Sequence, residues 1–119
     1  MRLSDATLAQ VPAHVARPAY DRSAARIGVV HLGPGAFHRA HQLPVFDALN
    51  AADPRWAVAE VALKTPGVRD ALAPQDGLYA LKILDAQPSL SVVGAIRELL
   101  VASQAPARSE EHTSELQSH

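Results

Sequence analysis

The sequence predicts an α/β fold, an incomplete parallel sheet with flanking helices, and three observations predict it. Residues 27–32, Ile-Gly-Val-Val-His-Leu, are a short, largely apolar and β-branched run, the pattern of a buried parallel strand. Gly33-Pro34-Gly35 breaks that run, and a helical stretch opens directly behind it. Residues 56–63 form a second apolar strand, flanked by Lys64 and Thr65. Strand, glycine turn, helix and strand make a βαβ unit, which implies parallel pairing and a right-handed crossover.

The other elements follow in chain order. Residues 3–11 read as a short helix, capped by Ser4 or Asp5 and stopped by Pro12. Residues 14–26 are punctuated by proline and charge and read as a connecting arm. The helix over residues 36–51 places Phe37, Ala40, Val45 and Leu49 on its inner side. Pro44 should kink or split it after His41, because proline removes a backbone bond. Asp53-Pro54 marks a turn, and residues 66–72 a short helix with Pro66 at its first turn. Pro74-Gln75-Asp76-Gly77 is turn chemistry. Residues 78–84 and 90–93 read as strands around a turn at 85–88, while residues 96–101 fit strand or helix equally.

Composition sets limits. The 119 residues are 48% hydrophobic, enough for a core, although burial is marginal below ~150 residues. A net charge of −1 without a basic or acidic block gives no reason to expect nucleic acid or a membrane surface as partner. The chain has no cysteine, which excludes disulfides, thiol catalysis and cysteine-bound zinc. No apolar run is long enough to span a bilayer, and residues 1–5 turn polar at once, so the expected location is cytoplasmic.

Residues 108–119, Arg-Ser-Glu-Glu-His-Thr-Ser-Glu-Leu-Gln-Ser-His, differ from the rest: polar, without proline or a usable apolar face. The string resembles the translated read-through of a common sequencing adapter. The expected division is therefore an amino-terminal helix and arm at 1–26, a partial nucleotide-binding domain at 27–107 and a non-native tail at 108–119. His112 and His119 then drop out as functional candidates.

Residues 33–41, Gly-Pro-Gly-Ala-Phe-His-Arg-Ala-His, carry the chemistry. A dinucleotide site needs one glycine for the tight turn and a second so that the backbone can approach a pyrophosphate. The N–H groups of the helix start then face the phosphates. The third glycine of G-x-G-x-x-G is replaced by His38, so the pattern alone leaves a plain tight turn as an equal alternative.

Residues 31–42, His-Leu-Gly-Pro-Gly-Ala-Phe-His-Arg-Ala-His-Gln, resemble the fingerprint of the mannitol dehydrogenase family. Residues 68–79 and 96–100 are similar to two further family blocks, in the same order. The resemblance implies an incomplete Rossmann-type domain. The intact protein would be a metal-independent oxidoreductase that moves hydride between NAD and a polyol or sugar acid. Leu32, Gly33, Pro34, Gly35, Ala36 and Phe37 would line the pyrophosphate, and Arg39 would reach a phosphate or pack over the ribose. His38 and His41 are expected to pack or hydrogen-bond at the helix start, with neither a catalytic nor a metal role. Asp76 and Tyr79 read as a turn aspartate and a core tyrosine.

Lys64 stands where NAD-preferring folds place an acid for the ribose hydroxyls. NAD remains the expected cofactor from the resemblance, with NADP open because Lys64 tolerates a 2′-phosphate. The family's proton-handling lysine belongs to a later domain. The lysines here, Lys64 and Lys82, match no such motif, so this chain is expected to lack catalytic residues and turnover. A non-catalytic nucleotide-binding module, or a truncated piece that binds nothing, is the alternative. A methyltransferase would close its second strand with an acid, against Lys64-Thr65.

Overall fold

The computed structural model describes residues 2–102, so the expectations for residues 103–119, including the tail at 108–119, lie outside the described residues. Strands β1 (Ile27–Leu32), β2 (Ala57–Ala62) and β5 (Ile96–Val101) form a parallel sheet in the order β1-β2-β5. Helices α1 (Leu43–Ala52) and α2 (Gly67–Leu72) lie in the connections, and β3 (Tyr79–Ile83) pairs antiparallel with β4 (Ser89–Val93). Residues 96–101, undecided between strand and helix, are a strand because parallel pairing with β2 holds them extended.

All of β2 is buried, as befits a central strand. β1 is not: Ile27 and Val30 are 42% and 55% exposed, since β1 is the sheet's edge among the described residues. A run patterned for burial therefore lines an open edge. Its ladder shifts register at Gly28, where any Cβ would lie 2.0 Å from the Arg55 carbonyl oxygen. Leu43, Val58, Leu72, Val93 and Ile96 join the helices, sheet and hairpin into one core.

Two further expectations fail. Residues 3–11 hold only a three-residue 3₁₀ turn, Leu8–Gln10. The Thr7 hydroxyl accepts from the Ser4 N–H at 3.0 Å and donates to the Arg2 carbonyl at 2.7 Å, local bonds that compete with helical ones. Leu3, Leu8 and Val11 still pack against Val15, Leu78 and Val92.

The second concerns the helix after the glycine turn. Residues 38–42 form a π-turn in which the Leu43 N–H reaches the His38 carbonyl, and α1 starts behind it. The break comes just before Pro44, within a residue of the expected place after His41. The extra residue shifts the helical phase across this segment, so Phe37 is 69%, Val45 56% and Leu49 40% exposed, and Ala40 is only half-buried. His38, Leu43 and Asn50 face inward instead.

The arm is tied down by Arg22, which is 5% exposed. Its guanidinium donates to the carbonyls of Gly94 (2.9 Å), Ile96 (2.8 Å) and Asp76 (2.6 Å) and pairs with Asp5. Tyr20 donates to Asp47 at 2.5 Å, and the Gly94 N–H donates to the same carboxylate at 2.9 Å. Arg22→Met is expected to lower unfolding free energy by about 3 kcal/mol, because it strands buried carbonyls. Urea denaturation, with exposed Arg26→Met as the neutral control, checks this.

Candidate functional site

β1 ends at Leu32, and Gly33 turns the chain with φ of 89°, a conformation that favours glycine. The Gly33 N–H still donates to the Val61 carbonyl at 2.9 Å, so the turn begins in ladder register. A Cβ on Gly35 would meet nothing within 4 Å, so its front is open. The chain turns helical at Ala36, and the Arg39 N–H donates to the Gly35 carbonyl at 3.0 Å.

A cleft of about 350 Å³ lies between Gly33, Pro34 and Gly35 on one side and Ala62, Lys64 and Thr65 on the other. It sits outside the carboxyl ends of β1 and β2, where open parallel sheets bind ligands. Four of the expected site residues, Gly33, Pro34, Gly35 and Lys64, therefore share one cleft. Leu32 is half-buried behind the turn. Ala36 and Phe37 are exposed and do not line the cleft; the Phe37 ring tilts against His41, centroids 4.7 Å apart. Arg39 folds back on its own turn, its Nε 3.4 Å from the Gly35 carbonyl oxygen.

Glu60 is the residue that sequence reasoning missed. It sits fully buried in β2, and its carboxylate meets His38 Nε2 on one oxygen and His31 Nδ1, 3.3 Å away, on the other. Gln42 Oε1 lies 2.6 Å from His38 Nδ1 and fixes that ring. Burial pushes the Glu60 carboxyl above its ordinary value, against the opposing pull of His38 and His31. The signal was a lone acid in the apolar run Ala-Val-Ala-Glu-Val-Ala; its partners lie in other elements.

The donor atoms of His31, His38 and Glu60 lie within 4.8 Å of one another, close enough to suggest a cation site. The two imidazoles, however, stack with centroids 3.5 Å apart and planes only 3° from parallel. An ion in the plane of one ring is out of the plane of the other, so the arrangement suits protons better than a shared metal.

Tyr79 completes the π-turn. Its hydroxyl donates to the Arg39 carbonyl at 2.5 Å, and Pro44, five residues on, has no N–H to offer that carbonyl. Burial raises the Tyr79 phenol well above its ordinary range.

An open glycine turn between a parallel strand and a helix, with a cleft across the strand ends, defines the class of dinucleotide-binding α/β domains. Residues 27–116 match the mannitol dehydrogenase Rossmann domain, and the chain belongs to that family. It is 36% identical over 109 residues to a mannitol 2-dehydrogenase of Phaeosphaeria nodorum, covering 86% of this chain and 19% of the relative. It is 33% identical over 108 residues to a polyol:NADP oxidoreductase of Gluconobacter oxydans, covering 84% and 22%. A ternary complex of Pseudomonas fluorescens mannitol 2-dehydrogenase with NAD and D-mannitol superposes with a TM-score of 0.82 at 35% identity, covering 88% of this chain and 23% of that one. The chain thus spans about a fifth of its relatives' length.

Two outcomes are expected of the buried cluster. His38→Ala leaves Glu60 without its main partner and should cost about 3 kcal/mol in urea unfolding, more than Glu60→Gln does. Because the Glu60 carboxyl is raised, its contribution to stability is present below the ordinary glutamate value of 4.5 and fades as pH climbs through the raised one. Urea midpoints taken upward from pH 4.5 should fall for the wild type relative to Glu60→Gln.

Proposed function

We propose that this chain is the cofactor-binding part of an oxidoreductase that transfers hydride between a nicotinamide dinucleotide and a polyol or sugar acid. The substrate pair would be of the mannitol/fructose or mannonate/fructuronate type, oxidised at a secondary alcohol carbon. The observation that carries the reading is the glycine turn, bent at Gly33 and open at Gly35, facing a cleft at the strand ends. NAD occupies the related Pseudomonas fluorescens enzyme, and the name of the Gluconobacter relative carries NADP, so either dinucleotide suits the family.

The residues present fit such a group. Gly33, Pro34 and Gly35 offer backbone to the pyrophosphate without obstruction, and the helix start beyond them presents N–H groups. Leu32 supports the turn from behind, Ala36 and Phe37 flank its outer side, and Arg39 reaches a phosphate or the ribose once it leaves the Gly35 carbonyl. The dinucleotide supplies the hydride chemistry, and the chain binds and orients it. His38 stays a positioning residue, since both of its ring nitrogens are engaged by Glu60 and Gln42.

Proton handling at the substrate falls to residues this chain does not contain, and in this reading no metal takes part. Among the described residues no helix is long and apolar enough to cross a membrane, and we place the protein in the cytoplasm. The 119-residue chain should show no turnover, and polyol oxidation above background would refute that assignment.

The binding test is NADH fluorescence titration. Gly35→Asp should leave the far-UV circular dichroism unchanged, because the position is open, yet weaken binding about tenfold or more by setting a carboxylate against the pyrophosphate. Unchanged affinity in a folded variant would remove the glycine turn from the site.

A further inference from the structure

The glycine turn is held at both ends by one carboxylate. His31 stands two residues before Gly33 and His38 three after Gly35, and both rings reach Glu60 in the neighbouring strand. The chain from 31 to 38, with the turn inside it, is therefore a loop clipped to β2 at its two ends. Whether the clip closes depends on a proton.

Gln42 Oε1 lies 2.6 Å from His38 Nδ1 and can only accept, so Nδ1 carries the hydrogen. The opposite nitrogen, Nε2, lies against a Glu60 oxygen, closer than two lone pairs can approach. One proton must sit in that contact, on His38 as an imidazolium or on Glu60 as a carboxylic acid. His31 Nδ1 meets the other oxygen at 3.3 Å. Losing the shared proton leaves a buried, ionised carboxylate facing a bare nitrogen. His38 must then change tautomer while Gln42 turns its amide, or the clip opens. Burial, which pushes the Glu60 carboxyl upward, acts in the same sense.

No neighbouring group stands in for that proton. Tyr79 on β3 keeps its phenol hydrogen and donates it to the Arg39 carbonyl, and the Arg39 guanidinium lies on the Gly35 carbonyl. Asp47 on α1 is held by Tyr20 and the Gly94 N–H, and the His41 ring lies against Phe37. On β5, Leu99 pairs with Glu60, while Arg97 and Glu98 are exposed. His31 is 31% exposed and makes no hydrogen bond through Nε2 among the described residues, which gives the cluster a proton route to solvent.

Resting on the dinucleotide reading above, we propose that the His31–Glu60–His38 cluster is a proton-binding site linked to the dinucleotide site, so that the chain binds the dinucleotide more tightly while the cluster holds its shared proton. Proton loss slackens the segment that carries Gly33, Pro34 and Gly35, and its backbone N–H groups lose the spacing a pyrophosphate needs. By linkage, the bound dinucleotide holds the proton to higher pH, and binding takes protons up. His31, His38 and Glu60 act as positioning residues, since none of them lines the cleft.

The test is calorimetric titration of the 119-residue chain with NAD, from pH 4.5 to about 8, in two buffers of different ionisation heat. It reads affinity and proton uptake together, with circular dichroism verifying the fold at each pH. The ring-nitrogen resonances of His38 mark the interval in which the cluster titrates. Across that interval affinity should fall about fivefold or more as pH rises, and binding should take up protons. Glu60→Gln sets an uncharged N–H donor against His38 Nε2, as the protonated carboxyl does, and should hold one affinity across the same interval. Affinity that stays level while His38 titrates, or a fall that persists in folded Glu60→Gln, overturns the linkage and leaves the dinucleotide reading standing. If Glu60→Gln does not fold, the wild type decides alone, and binding without proton uptake overturns the linkage. Absence of binding by a folded chain throughout the range overturns both.

Discussion

A carboxylate in the middle of a buried strand has to be answered, and the way Glu60 is answered organises the site. Ionised alone at this depth it would cost several kcal/mol. His38 and His31 approach it from the segments on either side of the glycine turn, and Gln42 holds His38 in place. One side chain thus connects β1, β2 and the start of the helix, the three pieces that must keep their spacing for the turn to face the cleft. The cluster itself does not line that cleft. Its effect on a ligand there runs through the backbone it positions.

Arg22 has the corresponding part at the other side of the domain. Its bonds to the Gly94, Ile96 and Asp76 carbonyls bind the arm to the end of the hairpin and the start of β5. Tyr20 and Asp47 add a link from the arm to α1. A segment with almost no regular structure of its own is therefore fixed by side chains, and the sheet order β1-β2-β5 is braced from outside.

Much of the sheet was legible because strand signals are local. The apolar runs around Val29 and Val58 marked parallel strands, and Gly33-Pro34-Gly35 marked the turn. The same locality explains the failures. Whether β1 is buried depends on a neighbour that its own residues do not encode. Glu60 is isolated from its partners in sequence, because His31 lies 29 positions away and His38 lies 22. Phe37, Val45 and Leu49 were placed inward by counting a regular helix through a segment that is not regular. At the site, Gly33, Gly35 and Lys64 converge as their positions relative to the strand ends suggest, while Phe37 turns outward with its ring on His41.

The π-turn at His38–Gln42 holds one residue more than an ordinary helical turn needs. An i→i+5 turn advances less per residue than an α-turn, so the segment sweeps about the same angle as an α-helix one residue shorter. Removing one of its residues would let the chain close into ordinary α-helix with Leu43, Asp47 and Asn50 still facing as they do. The deletion would instead change the spacing that sets His38 against Glu60 and Gln42 against His38. A gap placed between residues 38 and 42 in a variant of this chain would therefore signal a rebuilt buried cluster inside an otherwise unchanged domain.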